Sequence, residues 1–132
     1  MNKDIVIPPE KELPSQNAWD EMVGAADRIH IFAGGAMFGK PAGTQVVFES
    51  HRPADLESLR TCVRFREDAR GGHCMCWGTL AFVFFRGKEQ LAVLGFHHGL
   101  SFRWEDRWLG DGQLLDNQGI LDCGLDPEKW RW

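Results

Sequence analysis

The sequence predicts an α+β fold: one domain, with a mostly antiparallel sheet of four to five strands, a long central hairpin over about residues 73–104, and two or three helices packed on the sheet. Three observations predict it. Two segments repeat apolar residues at helical spacing. Two runs rich in Phe, Val and Leu flank Gly87-Lys88, a pair suited to a two-residue hairpin turn. The order helix, strand, strand, helix, hairpin, helix lacks the regular strand–helix alternation of a parallel α/β sheet. The chain of 132 residues fits a single domain. A domain of this size buries roughly two-thirds of its unfolded surface, so it needs no disulfide staple.

Residues 1–14, with Pro8, Pro9 and Pro14, read as an extended N-terminal arm, and 15–132 as the folded domain. A first helix starts near Ser15 or Asn17, either of which can cap it. Trp19, Met22, Val23 and Ala26 make its apolar face. Residues 28–32 alternate as a half-buried strand does. A glycine-rich loop over 33–44 follows, then a strand over 45–49. Pro53 opens a second helix, with Asp55 and Glu57 in its first turn and Arg60 near its end, in keeping with the helix dipole. Leu56, Leu59 and Val63 share one face. Residues 63–66 alternate as a short strand. Residues 74–86 read as a long strand and 90–104 as its antiparallel return, with a bulge at Gly99. A last helix around 118–123, ended by Gly124, completes the chain.

Net charge is −4, and no run of like charge exceeds three residues. That disfavours nucleic acid or an anionic membrane as partner and suits a basic protein partner. No apolar run reaches the ~18 residues of a membrane span. The N-terminus lacks the apolar core of a signal peptide, so the expected location is the cytoplasm, where thiols stay reduced.

Chemistry-bearing residues concentrate in His73-Cys74-Met75-Cys76-Trp77-Gly78 and His97-His98-Gly99, which hold two of four cysteines and three of five histidines. Counting outward from Gly87-Lys88, Cys76 falls opposite Gly99, Cys74 opposite Ser101 and Gly78 opposite His97. Cys74, Cys76 and His97 then share one face with Leu80, Phe82, Phe84, Leu91 and Val93, and His98 lies on the other. Three readings follow. The set can be tightly packed core. Cys74, Cys76 and His97 can be ligands of a zinc ion, with His73, Cys62 or Cys123 as a fourth, although Cys-x-Cys is not the common zinc spacing. Or Cys74 or Cys76 can be a nucleophile, with His97 or His98 as base and Glu105 or Asp106 as orienting acid.

Gly34-Gly35-Ala36-Met37-Phe38-Gly39-Lys40 matches the start of a phosphate-binding loop. Pro41 stands where a Ser or Thr should hold magnesium, and no helix follows, so a hairpin loop is the better reading. Arg60, Arg64, Arg66 and Arg70 read as a solvated basic stripe. The aromatic set is lopsided, with six Trp, nine Phe and no Tyr. Trp104 and Trp108 flank Glu105-Asp106-Arg107. If exposed, Arg103, Trp104 and Trp108 would form a partner-binding hot spot.

The signature His73-Cys74-Met75-Cys76-x-Gly78, then a Phe-rich strand, then Leu94-Gly95-x-His97-His98-Gly99-x-Ser101-x-Arg103-Trp104, resembles a group of small, uncharacterised one-domain bacterial proteins. The resemblance spans about residues 55–125, counting Asp55-Leu56-x-x-Leu59-Arg60, and Phe102 departs from the aliphatic residue expected there. It implies a shared fold and carries no activity, substrate or cofactor. The leading functional expectation is a non-enzymatic cytoplasmic protein-binding protein, of the immunity or inhibitor type, whose partner is a basic enzyme. A zinc-binding protein using Cys74, Cys76 and His97 is the alternative, and a cysteine-nucleophile enzyme the third.

Overall fold

A computed structural model describes residues 11–71, 76–97 and 101–115, with backbone alone for 67–71. The expected last helix at 118–123, the segment 72–75 with His73 and Cys74, and His98 and Gly99 lie outside the described residues.

Helix α1 spans Gln16–Ala25. The Ser15 hydroxyl accepts a hydrogen bond from the Ala18 N–H at 3.1 Å, satisfying an N–H that the first turn leaves open. Trp19, Met22 and Val23 are buried, as their spacing requires. Helix α2 spans Pro53–Cys62, with proline in its first turn and Leu56 and Leu59 buried. The Ser50 hydroxyl donates to Asp55 at 2.6 Å, tying the preceding strand to the start of this helix. The Trp19 indole N–H donates to the Leu59 carbonyl at 3.2 Å and joins the helices.

The strands are β1 (Arg28–Ala33), β2 (Ala36–Met37), β3 (Lys40–Pro41), β4 (Val46–Ser50), β5 (Phe65–Gly71), β6 (Leu80–Arg86), β7 (Glu89–His97), β8 (Ser101–Arg103) and β9 (Asp111–Leu114). Seven form one antiparallel sheet in the order β4-β1-β6-β7-β8-β9-β5. The α+β class holds, with seven strands in place of the four to five expected. The additions come from 90–104 dividing into β7 and β8, and from β9, whose Asp-Gly-Gln-Leu has no alternating apolar pattern. The stretch 34–40 is the β2–β3 hairpin, not a phosphate loop.

The turn is at Gly87-Lys88, with Arg86 opposite Glu89 and Phe85 opposite Gln90. A bulge then shifts the register by one, so that Phe84 pairs with Ala92, Phe82 with Leu94 and Leu80 with Phe96. A one-residue shift exchanges the faces of every later residue on one strand relative to the other. His97 therefore does not share a face with Leu80, Phe82 and Phe84. It lies with Val93 and Gly95 on the opposite side. Cys76 is not in a strand either, since β6 starts at Leu80 and Gly78 turns the chain with φ of +88°.

The helix side of the sheet carries the main core: Ile29, Ile31, Phe82, Phe84, Leu94, Phe96 and Phe102 around Trp19. The other side carries a smaller cluster of Ala81, Val83 and Val93, covered by Ala36 of the β2–β3 hairpin. Trp19 is fully buried and packs edge-on to Phe65 and Phe84 with ring centroids 5.6 Å apart in each case. Trp19→Ala is expected to cost about 3–5 kcal/mol in a urea unfolding experiment, through lost burial and the cavity left behind.

Candidate thiol–imidazole site

The site lies on the hairpin side of the sheet, where β7 ends and β8 begins. Pairing of Gly95 with Arg103 and of His97 with Ser101 sets His97, Ser101 and Arg103 on this face, while Phe102 between them points into the core. The segment before β6 crosses above. It is fixed by the Ala36 N–H donating to the Trp77 carbonyl and the Thr79 N–H donating to the Phe96 carbonyl, each at 2.8 Å.

The His97 ring is buried beneath this crossing. It needs two glycines. A Cβ on Gly78 would lie 2.7 Å from the Phe96 carbonyl oxygen and 3.2 Å from the His97 ring, and one on Gly95 would lie 3.1 Å from His97 Nε2. On the other side of the ring, Nδ1 is 3.2 Å from the Cys76 Sγ. Cys76 is exposed, so a buried imidazole meets a solvent-facing thiol.

Arg103 holds this arrangement from below. Its Nε and Nη2 donate to the two Asp111 carboxylate oxygens at 2.7 and 3.0 Å, a bidentate pair sealed from water. Its Nη1 donates to the Cys76 carbonyl at 2.9 Å. The guanidinium thus fixes the backbone of the residue that carries the thiol.

Cys76 opens into a cavity of about 330 Å3. Arg103 is part of its lining, Met37, Trp77 and Trp108 contribute walls, and Phe38 and Leu109 stand exposed at the rim. Lys11 and Glu105 add one charge of each sign. The arm residue Glu12 is tied alongside: its N–H donates to the Arg107 carbonyl at 2.9 Å, its carbonyl accepts from the Leu109 N–H at 2.8 Å, and its carboxylate accepts from the Arg107 side chain at 2.6 Å.

Of the residues expected to bind metal, Cys76 and His97 come together and Cys74 lies outside the described residues. Among the described residues no three His, Cys, Asp or Glu side chains gather as a ligand set. The expected partner-binding trio requires correction. Arg103, Trp104 and Trp108 are 8%, 5% and 2% exposed, so none stands free as a surface anchor. Trp104 and Trp108 pack against each other at the margin of the core, and Arg103 is committed to Asp111. The acids expected to orient the histidine serve the hairpin tip: Glu105 accepts from the Phe38 N–H at 3.2 Å, and Asp106 lies against Gly39. Asp111 was not singled out by sequence. Its Gly-Asp-Gly setting reads as a turn, and only the β8–β9 pairing reveals its partner.

Asp111→Ala would leave the guanidinium buried without its counter-charge, a loss of about 3–5 kcal/mol in denaturant unfolding. Replacing both partners, as Arg103→Met with Asp111→Leu, should recover most of that loss while leaving the Cys76 carbonyl without its donor.

No family model matches the chain, and neither the curated proteins nor the solved structures contain a match to it.

Proposed function

We propose that the protein is a thiol-dependent enzyme of the acyl-transfer or hydrolase type, with Cys76 as nucleophile and His97 as general base. The observation that carries this reading is the 3.2 Å approach of His97 Nδ1 to the Cys76 Sγ at the mouth of a cavity. A nucleophile within hydrogen-bond reach of a base, with the base itself held by packing, is the arrangement covalent catalysis needs.

The proton of the Cys76 thiol passes to His97 Nδ1 as Sγ bonds to the substrate carbonyl carbon. The bond from that carbon to the leaving oxygen breaks, and His97 returns the proton to it, which leaves a thioester on Cys76. Water then attacks the thioester, His97 accepts its proton and passes it to the departing sulfur, and the carboxylic acid leaves. Arg103 acts as a positioning residue in this scheme: through the Cys76 carbonyl it holds the thiol in register with the imidazole.

Alkylation by iodoacetamide at pH 6 tests the reading, because an isolated thiol is almost wholly protonated there. Cys76 should react at least about 10-fold faster than N-acetylcysteine, and His97→Gln should remove that advantage. Mass mapping on Cys76, absent in Cys76→Ser, assigns the site. A Cys76 that reacts no faster than N-acetylcysteine sinks the reading. Near-stoichiometric zinc in protein purified without chelator, lost in Cys76→Ser, would replace it with a metal site at the same pair.

A further inference from the structure

Resting on the thiol reading, the geometry points to the class of group that the cavity takes: an uncharged, apolar acyl group, with Phe38 as the residue that selects it. Phe38 occupies the first central position of the two-residue turn between β2 and β3. Its φ is 53°, and Gly39 after it has φ of 71°. Positive φ at both central positions is the geometry of a type I′ turn, for which Asn-Gly and Gly-Gly are the favoured pairs. A bulky aromatic side chain is held there against its steric preference, and Phe38 is the one non-glycine residue with positive φ among the described residues. The ring recovers little by packing, since Phe38 is 79% exposed. An aromatic residue that is strained, exposed and set on a cavity rim has a physical explanation if its contact is with a ligand.

Its surroundings agree on the character of that ligand. Trp77, next to the nucleophile, and Leu109 stand 56% and 55% exposed on the same rim. Among the described residues the charges around the cavity balance. Arg103 is matched by Asp111, and Lys11 by Glu105 in sign, so the rim offers no net attraction to an anion. A volume of about 330 Å3 lies at the low end for small-molecule pockets and suits a short acyl chain or a single ring.

The test compares two activated esters with the same leaving group: 4-nitrophenyl butyrate and 4-nitrophenyl hemisuccinate, whose acyl chains match in length and differ by a terminal carboxylate. Rates of Cys76 acylation are read by nitrophenolate release and intact mass, each divided by the rate for N-acetylcysteine. The wild-type chain should favour butyrate by about 10-fold, the cost of setting a carboxylate against Phe38, Trp77 and Leu109 at the rim. Phe38→Asn should lower that preference several-fold and at the same time raise Tm by about 2–5 °C, because Asn-Gly suits the turn better than Phe-Gly. Equal rates, or a preference for hemisuccinate, overturn the inference while leaving the thiol reading standing. So does a preference that Phe38→Asn leaves intact, or a Tm that falls in that variant, which would make Phe38 a folding residue. If neither ester acylates Cys76, the thiol reading itself fails, and this inference with it.

Discussion

A guanidinium closed off from water must have its charge matched and its donors used, or its burial costs several kcal/mol. Arg103 meets that demand with parts of the chain far apart in sequence. Asp111 at the start of β9 takes two of its donors, and the Cys76 carbonyl, ahead of β6, takes a third. One side chain thereby fixes the relative positions of β8, β9 and the crossing segment. The distance from Cys76 to His97 follows from it, because His97 is fixed by pairing with Ser101, two residues from Arg103. An apolar filling of similar volume would stabilise such a location about as well, so what this pair contributes is position.

The three-residue strand β8 couples that position to the core. Ser101 and Arg103 face the site, and Phe102 between them faces the helices. The Phe102 ring lies 4.8 Å from Phe96, 5.0 Å from Phe82 and 5.0 Å from Trp19, centroid to centroid. An aliphatic residue would fill part of this space without these ring contacts, of which the one to Phe82 is edge-to-face, and an aromatic pair is worth about 0.5–1.5 kcal/mol beyond burial. A strand this short has few ladder bonds of its own, so the aromatic cluster on one face anchors the ion pair on the other.

What was legible in the sequence was local. Ser15 as cap, Pro53 as helix opener and Gly87-Lys88 as turn each act within a few residues, and each stands where its chemistry predicts. The bulge between β6 and β7 was not legible. One inserted residue leaves the alternation of Phe, Val and Leu intact on either side, yet it exchanges the faces on which everything beyond it lies. Strand alternation brings Cys76 to His97 on a shared face, as one of several combinations; in the structure the two meet because Gly78 turns the chain across the end of the sheet. Asp111 and the exposure of Phe38 depend on contacts with sequence-distant segments, and no spacing encodes those.

The two sides of the sheet differ in what they tolerate. The helix side is close to uniform apolar packing. The other side collects most of the features that work against stability: a sealed ion pair, a buried imidazole accommodated by Gly78 and Gly95, and a phenylalanine in the left-handed region. Together, within the surroundings of one cavity, they are difficult to attribute to folding alone, because each has a cheaper local alternative: an apolar pair, an aliphatic residue, an asparagine. Local rules broken in concert at one place are the mark of a functional site. These features gather on the hairpin side of the sheet, and the Cys76–His97 contact lies among them.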